Sequence, residues 1–315
     1  MTEKSPLLPP AISSSYSSLK TINYLAYGSN LTSRTLTGSR HIHPLEVTPV
    51  RVPSLTLTFT LAGLPYLEPC FANVRPRLQP PPHPAEQDKE LIGVVYKLRE
   101  EDYSRLFASE GAGTGYQEFT VTCYPLTPTT TSTTTTDNTE IIATTLLCRE
   151  DASAGTSNLT RPGCQPSNRY LQLLREGARE RDLPTSYVQY LDGLRGYKVT
   201  SRRQFVGGIV VMVVWGPALA TMLLLNRVFA RGDDGRAPGW VLAFARGIMR
   251  TMWGCYDGVL VKVFGNGECT EGEEPNWVTG VSTGTSTGLG EVEVEVGGKS
   301  DGVEVEVLEV EDVEV

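Results

Sequence analysis

Tyr24-Leu25-Ala26-Tyr27-Gly28-Ser29-Asn30-Leu31 is the stretch whose reading decides the fold. The apolar residues Ile22, Tyr24 and Leu25 lead into it without a break, so residues 22–27 read as a strand that stops at Gly-Ser-Asn. Such a stop gathers backbone N–H groups and two small polar side chains at one point. Gly28 allows close approach of a ligand to the backbone, or a positive φ. Ser29 and Asn30 can bond their own turn. The combination suits an anionic group such as a carboxylate, held in a nest of backbone amides. An ordinary strand-ending turn uses the same residues, and the stretch alone does not separate the two.

Outward from this point the chain is mostly strands, with helices later. Leu55–Leu61 alternates apolar residues with Thr, as a half-buried strand does. Leu91–Leu98 reads as a buried strand, and Glu118–Tyr124 and Ile141–Leu147 as two more. Glu100–Ser109 predicts a short helix, acidic at its start, with Tyr103, Leu106 and Phe107 on one side. Ser167 can cap a helix that carries Tyr170, Leu171, Leu174 and Ala178 at helical spacing, and a second helix follows over Ser186–Leu194. The fold class is therefore α+β. Gln79–Pro84 (Pro-rich) and Pro128–Asn138 (Thr-rich) read as loops.

The 315 residues carry a net charge of −8. Residues 291–315 alone hold ten acids against one basic residue, Lys299, and carry −9, which leaves +1 on the rest. No basic face for nucleic acid is implied. The six cysteines include no CxxC pair and the histidines are only His41, His43 and His83, so neither a metal nor another cofactor is expected. Residues 1–20 read as a disordered lead without the apolar core of a signal peptide, which makes reduced thiols the default.

Phe205–Leu225 contains 21 residues and no charge. At 1.5 Å per residue it reaches about 31 Å, enough for one transmembrane helix, with a buried core helix as the alternative. Residues 238–264 predict an amphipathic helix, either interfacial on the membrane or packed on the globular domain. Residues 270–315, ending in Val-Glu repeats, read as an acidic disordered tail. The expected partners are then a lipid bilayer and a small molecule.

For chemistry, Glu110 stands out. It ends the short helix directly before Gly111-Ala112-Gly113-Thr114-Gly115-Tyr116, where a carboxylate can face a close-approaching substrate and act as general base, or can simply be a solvated helix end. No Gly-Lys-Ser/Thr follows the glycines, and no His lies beyond His83 to complete a hydrolase triad.

Tyr24–Leu31, then Glu110-Gly111 and Tyr116, then Pro166-Ser167-Asn168-Arg169-Tyr170, Gly177-Ala178 and Leu183-Pro184 with Tyr187, together with Gly93-Val94-Val95-Tyr96, resemble the gamma-glutamylcyclotransferases over residues 20–195. The resemblance implies a small mixed β-barrel with flanking helices over residues 21–198 and a pocket at the barrel mouth. It implies cyclisation of a γ-glutamyl amino acid or peptide to 5-oxoproline. Glu110 would move the protons. Tyr24, Leu25, Ala26, Tyr27, Gly28 and Ser29 would bind the substrate's carboxylate and oxyanion, with Tyr170 a further contact and Tyr116 lining the pocket. Details look closest to membrane-anchored fungal members, with a cytosolic catalytic domain; a glycan on Asn30, in an Asn-x-Thr sequon, would obstruct the pocket. The alternatives are a catalytically inactive membrane-tethered adaptor, or a related enzyme acting on γ-glutamyl amines or glutathione.

Overall fold

The computed structural model describes residues 20–77, 89–110, 115–126, 140–148, 159–230 and 235–271. The two expected loops, the N-terminal lead and the acidic tail lie outside the described residues.

Five strands close into a barrel in the order β1-β5-β2-β6-β7: β1 (Thr21–Ala26), β2 (Glu46–Val52), β5 (Leu91–Arg99), β6 (Gln117–Pro125) and β7 (Ile141–Leu147). β1 runs antiparallel to β5 from Thr21↔Arg99 to Ala26↔Val94 and meets β7 in parallel at Tyr24↔Thr144. The Thr145 hydroxyl donates to the Leu25 carbonyl at 2.9 Å and reinforces that seam. Leu25, Val50, Val94, Tyr96 and Leu98 are fully buried and fill the barrel.

β2 escaped the sequence reading because Pro49 lies in its middle. Proline cannot donate to a ladder. β2 pairs with β5 along its whole length but with β6 only at Val50 and Arg51, just past the proline. β3 (Leu55–Leu64) and β4 (Glu68–Pro76) form a separate hairpin. β3 is not half-buried as its alternation suggests; Thr56, Thr58 and Thr60 are buried too. Its second face is covered: Ala62 donates to the Leu159 carbonyl at 2.8 Å, and the Asn73 amide donates to the Thr60 hydroxyl at 2.9 Å.

α1 (Glu100–Ser109) follows β5 directly. α2 (Asn168–Glu180) starts at the expected cap, where the Ser167 hydroxyl accepts from the Tyr170 N–H at 3.0 Å. Gly177 lets α2 press onto the turn after β1: a Cβ there would stand 2.5 Å from Leu31 Cβ and 2.7 Å from the Thr32 nitrogen. α3 (Thr185–Gly193) packs Tyr187 and Leu191 into the same core.

The long apolar helix is α4 (Arg202–Phe229). It opens with a capping box between Ser201 and Gln204, and the buried Gln204 amide donates to the Asn266 carbonyl at 2.8 Å. Gly207 and Gly208 then pass against Tyr66, Leu67 and Phe264. α5 (Gly239–Cys255) returns along α4: Trp240 meets Phe229 edge-on at 5.2 Å, while Met252 and Trp253 join Val211 and Tyr66 in one cluster. The apolar face of α5 (Val241, Ala245, Ile248, Met252) is buried. A π-helical turn over Tyr256–Leu260 leads into α6 (Val261–Phe264).

Arg161 ties this appendage to the hairpin. Its guanidinium lies 4.5 Å over the Trp253 ring and binds both Asp257 oxygens at 2.9 Å and Glu268 at 2.9 Å. Its backbone N–H donates to the Thr60 carbonyl at 2.7 Å. A fork held by two carboxylates over an aromatic face is a geometry that lysine cannot reproduce. At the far end of α4, Leu225 packs with Ala108 of α1, Ala230 and Val241. Both ends of α4 thus touch the barrel domain.

Candidate active site

The chain leaves β1 through Gly28 into a single turn, Ser29–Leu31. Gly28 has φ −110°, so it is required for space: a Cβ there would stand 3.0 Å from the Tyr170 hydroxyl. The Leu31 N–H closes the turn on the Gly28 carbonyl at 3.0 Å, and the Tyr96 hydroxyl donates to the Asn30 carbonyl at 3.1 Å. This turn forms one wall of a narrow cleft.

Of the sequence-predicted site residues, Tyr24, Tyr27, Gly28, Ser29 and Tyr170 line the cleft together with Glu110. Tyr116 lines it as well, its hydroxyl donating to the Ala72 carbonyl at 2.9 Å. Leu25 and Ala26 do not line it. Both are fully buried in β1, where the β1–β5 ladder pairs them with Val95 and Val94 and the core takes up their side chains.

Glu110 caps α1 and places Oε1 2.8 Å from the Asn30 amide nitrogen and 2.8 Å from an Arg40 guanidinium nitrogen. The Asn30 amide also donates to the Tyr24 hydroxyl at 3.1 Å. Asn30 is buried, and its Oδ1 has no hydrogen-bond partner in a cleft it lines. A buried amide oxygen left without a donor is unfavourable and is relieved by a ligand that brings one. The Tyr170 hydroxyl accepts from the backbone N–H of Ala72 at 3.2 Å and from that of Ser29, and its ring meets Phe71 edge-on.

The phenols around the carboxylate are held neutral. Burial, then the charge of Glu110, pushes Tyr24 well above its ordinary 10.0. Burial, aided by neighbouring phenols, does the same for Tyr27 and Tyr116. Burial raises Tyr170 despite the Ala72 N–H it accepts. The cleft therefore offers a carboxylate and a ring of un-ionised hydroxyls, with the Arg40 guanidinium behind the carboxylate on the outer side.

Arg40 and the Asn30 side chain escaped the sequence reading. Arg40 follows a π-helical segment, Arg34–Ser39, and precedes His41, whose φ of 55° turns the chain sharply. No motif or periodicity marks it; Asn30 was legible as part of the turn but not as a partner of a carboxylate 80 residues away.

The class comes from the comparisons with known sequences. Residues 90–191 match the AIG2-like family, and residues 201–263 match the AclK C-terminal domain. The chain is 34% identical over 257 residues to gamma-glutamyl cyclotransferase gliK of Aspergillus fumigatus, covering 78% of this chain and 88% of the relative. It is 32% identical over 255 residues to gamma-glutamyl cyclotransferase aclK of Aspergillus oryzae, covering 78% and 89%. A solved structure of the uncharacterized protein loc79017 from Homo sapiens aligns over 58% of this chain and 92% of its own, at 20% identity and a TM-score of 0.43.

The chain belongs to the gamma-glutamyl cyclotransferase family. The likeness reaches beyond the barrel, because the helical appendage, placed outside the resemblance by sequence, matches a domain of its own in that family.

Proposed function

We propose that this protein cyclises a γ-glutamyl amino acid or peptide to 5-oxoproline and releases the amine. The observation that carries the reading is Glu110: the hydrogen bond from Asn30 and the ion pair with Arg40 both fall on Oε1, and this leaves Oε2 to a substrate. The substrate's α-ammonium would give a proton to Oε2. The freed amine nitrogen then attacks the γ-carbonyl carbon, the new C–N bond closes the five-membered lactam, and the old amide C–N bond breaks. The leaving nitrogen takes that proton from the Glu110 carboxyl, and the second proton of the ring nitrogen follows through the same carboxylate, so the products are a neutral lactam and an ammonium. Backbone amides of the turn after β1 would hold the oxyanion, the Ser29 N–H turning to it from the Tyr170 hydroxyl. The unpartnered Asn30 Oδ1 would accept an N–H of the substrate. Because nucleophile and electrophile belong to one molecule, holding its bent conformer supplies much of the acceleration.

The test is 5-oxoproline release by the purified chain from γ-glutamyl-alanine and from glutathione. Lactam from either supports the reading; none from both contradicts it and favours the inactive adaptor.

Membrane attachment is a second proposal. α4 is long and apolar enough to cross a bilayer, with a mean hydropathy of 2.2 over an 18-residue window that is 17% buried. Phe205, Ile209, Met212 and Val213 are exposed on it. The contacts of Gly207 and Gly208 with Tyr66 and Leu67 at one end, and the cluster shared by Leu225 and Ala108 at the other, support attachment in the plane of the membrane surface over a single-pass span. Co-sedimentation with liposomes should be lost when Ile209 and Val213 are both replaced by Asp; undiminished binding would contradict the attachment.

A further inference from the structure

Beyond the cleft lies a second, larger cavity of about 500 Å³, open to solvent. Ser29, Glu110, Tyr116 and Tyr170 line both, so the two are continuous across the carboxylate. A γ-glutamyl group seated in the inner cleft has its scissile amide at that boundary, and everything beyond the amide nitrogen projects into the outer cavity.

The outer cavity is built by two parts of the chain. Leu61 and Phe71 come from the hairpin, while Met222 and Asn226 come from α4 and Met249 from α5. Met249 also packs with the buried Leu61 and Leu159. Unbranched, polarizable methionine side chains adapt to irregular apolar shapes. Asn226 is buried, and its Oδ1 has no hydrogen-bond partner, the same signature that Asn30 shows in the inner cleft.

We infer that the α4–α5 appendage forms the leaving-group half of the active site, and that Met222 and Met249 select γ-glutamyl substrates whose leaving amine carries a large apolar body. Asn226 supplies that body with one polar contact. A leaving group the size of alanine would reach little of this wall. The inference rests on the cyclotransferase reading for the seating of the γ-glutamyl group, and adds to it a specificity that the barrel alone does not contain.

The experiment compares γ-glutamyl-(1-naphthyl)alanine with γ-glutamyl-alanine on the full chain. Both leaving groups are α-amino acids, so their charge and amine are matched and their apolar area is not, the first carrying a naphthylmethyl side chain. Binding is measured in the Glu110→Gln background, where it needs no turnover, and kcat/KM in the wild-type background. The naphthylmethyl ligand should bind at least about tenfold tighter than the alanine ligand. Met222→Glu should cut that preference about tenfold, in binding and in kcat/KM alike, and Met222→Leu should restore it. Equal affinity for the two ligands, or a parallel loss of both in Met222→Glu, would overturn the assignment. Tight naphthylmethyl binding without any 5-oxoproline release would instead overturn the cyclotransferase reading and leave the cavity's role supported.

Discussion

The Arg40 guanidinium stands 2.8 Å from Glu110 Oε1, and both side chains are mostly shielded from water. A charged pair so placed does two things. It fixes which carboxylate oxygen faces the cleft, and it keeps a positive charge beside the proton-transfer group. Arg40 also donates to the Ser109 hydroxyl, so its own position is set by the helix that Glu110 caps.

Arg40→Ala should therefore lower kcat by about 10- to 100-fold, the scale of a lost charged hydrogen bond with a partner left unpaired. KM should move much less, because Arg40 acts through Glu110. Arg40→Lys should recover part of kcat. A loss confined to KM would contradict the positioning role.

Asn30→Ala removes a donor to Glu110 and the acceptor offered to the substrate. Both kcat and kcat/KM should fall, by about tenfold or more. Asn30→Asp keeps the shape but sets a second carboxylate beside Glu110, and should be worse than the alanine variant at neutral pH. Wild-type activity in Asn30→Ala would show that the Asn30 amide donor is not what matters.

Gly177→Ala probes the link from packing to function. Its Cβ would overlap Leu31 Cβ and the Thr32 backbone nitrogen, neither of which is the flexible end of a side chain. Forced shifts of this kind cost about 1–3 kcal/mol. Thermal unfolding should come several degrees lower, and activity should fall although residue 177 lies outside the cleft, because the displaced element is the Ser29–Leu31 turn. An unchanged melting temperature would contradict the close approach of α2 to that turn.

The buried phenols give the protein an alkaline limit. Tyr24, Tyr27, Tyr116 and Tyr170 all have folded-state pKa values raised above 10.0, first through burial. The unfolded chain loses these protons as pH passes 10.0, whereas the folded chain keeps them. Their stabilising contribution is thus complete below pH 10.0 and is lost as pH rises toward the folded values. Urea midpoints should be insensitive to these groups near neutrality and fall steeply above pH 10.0, with phenol ionisation appearing only on unfolding. Phenol titration in the folded state near pH 10.0 would contradict the burial of the cleft.

The strands with unbroken apolar or alternating runs, β1, β5, β6 and β7, were legible because two-residue periodicity and β-branched content agree there. β2 and β4 were not, since Pro49, Pro69 and Pro76 argue locally against strands and only the partner strands override them. The place of Glu110 between a helix and glycines left a general base and a solvated helix end both open, and the family resemblance singled it out. Arg40 was not legible, because its role comes from a contact 70 residues along the chain that no local pattern records. Hydropathy identified α4 but could not say what its apolar surface covers. Part of that surface covers the cavity beside Glu110.

The central claim is that Glu110 moves protons during lactam formation. The most direct measurement is 5-oxoproline release from γ-glutamyl-alanine by the wild-type chain and by Glu110→Gln in parallel, with ligand binding recorded for both. The account predicts that the Gln variant, near-isosteric and still able to meet Asn30, binds substrate but forms lactam about 100-fold or more slowly. Equal rates in the two proteins would contradict it.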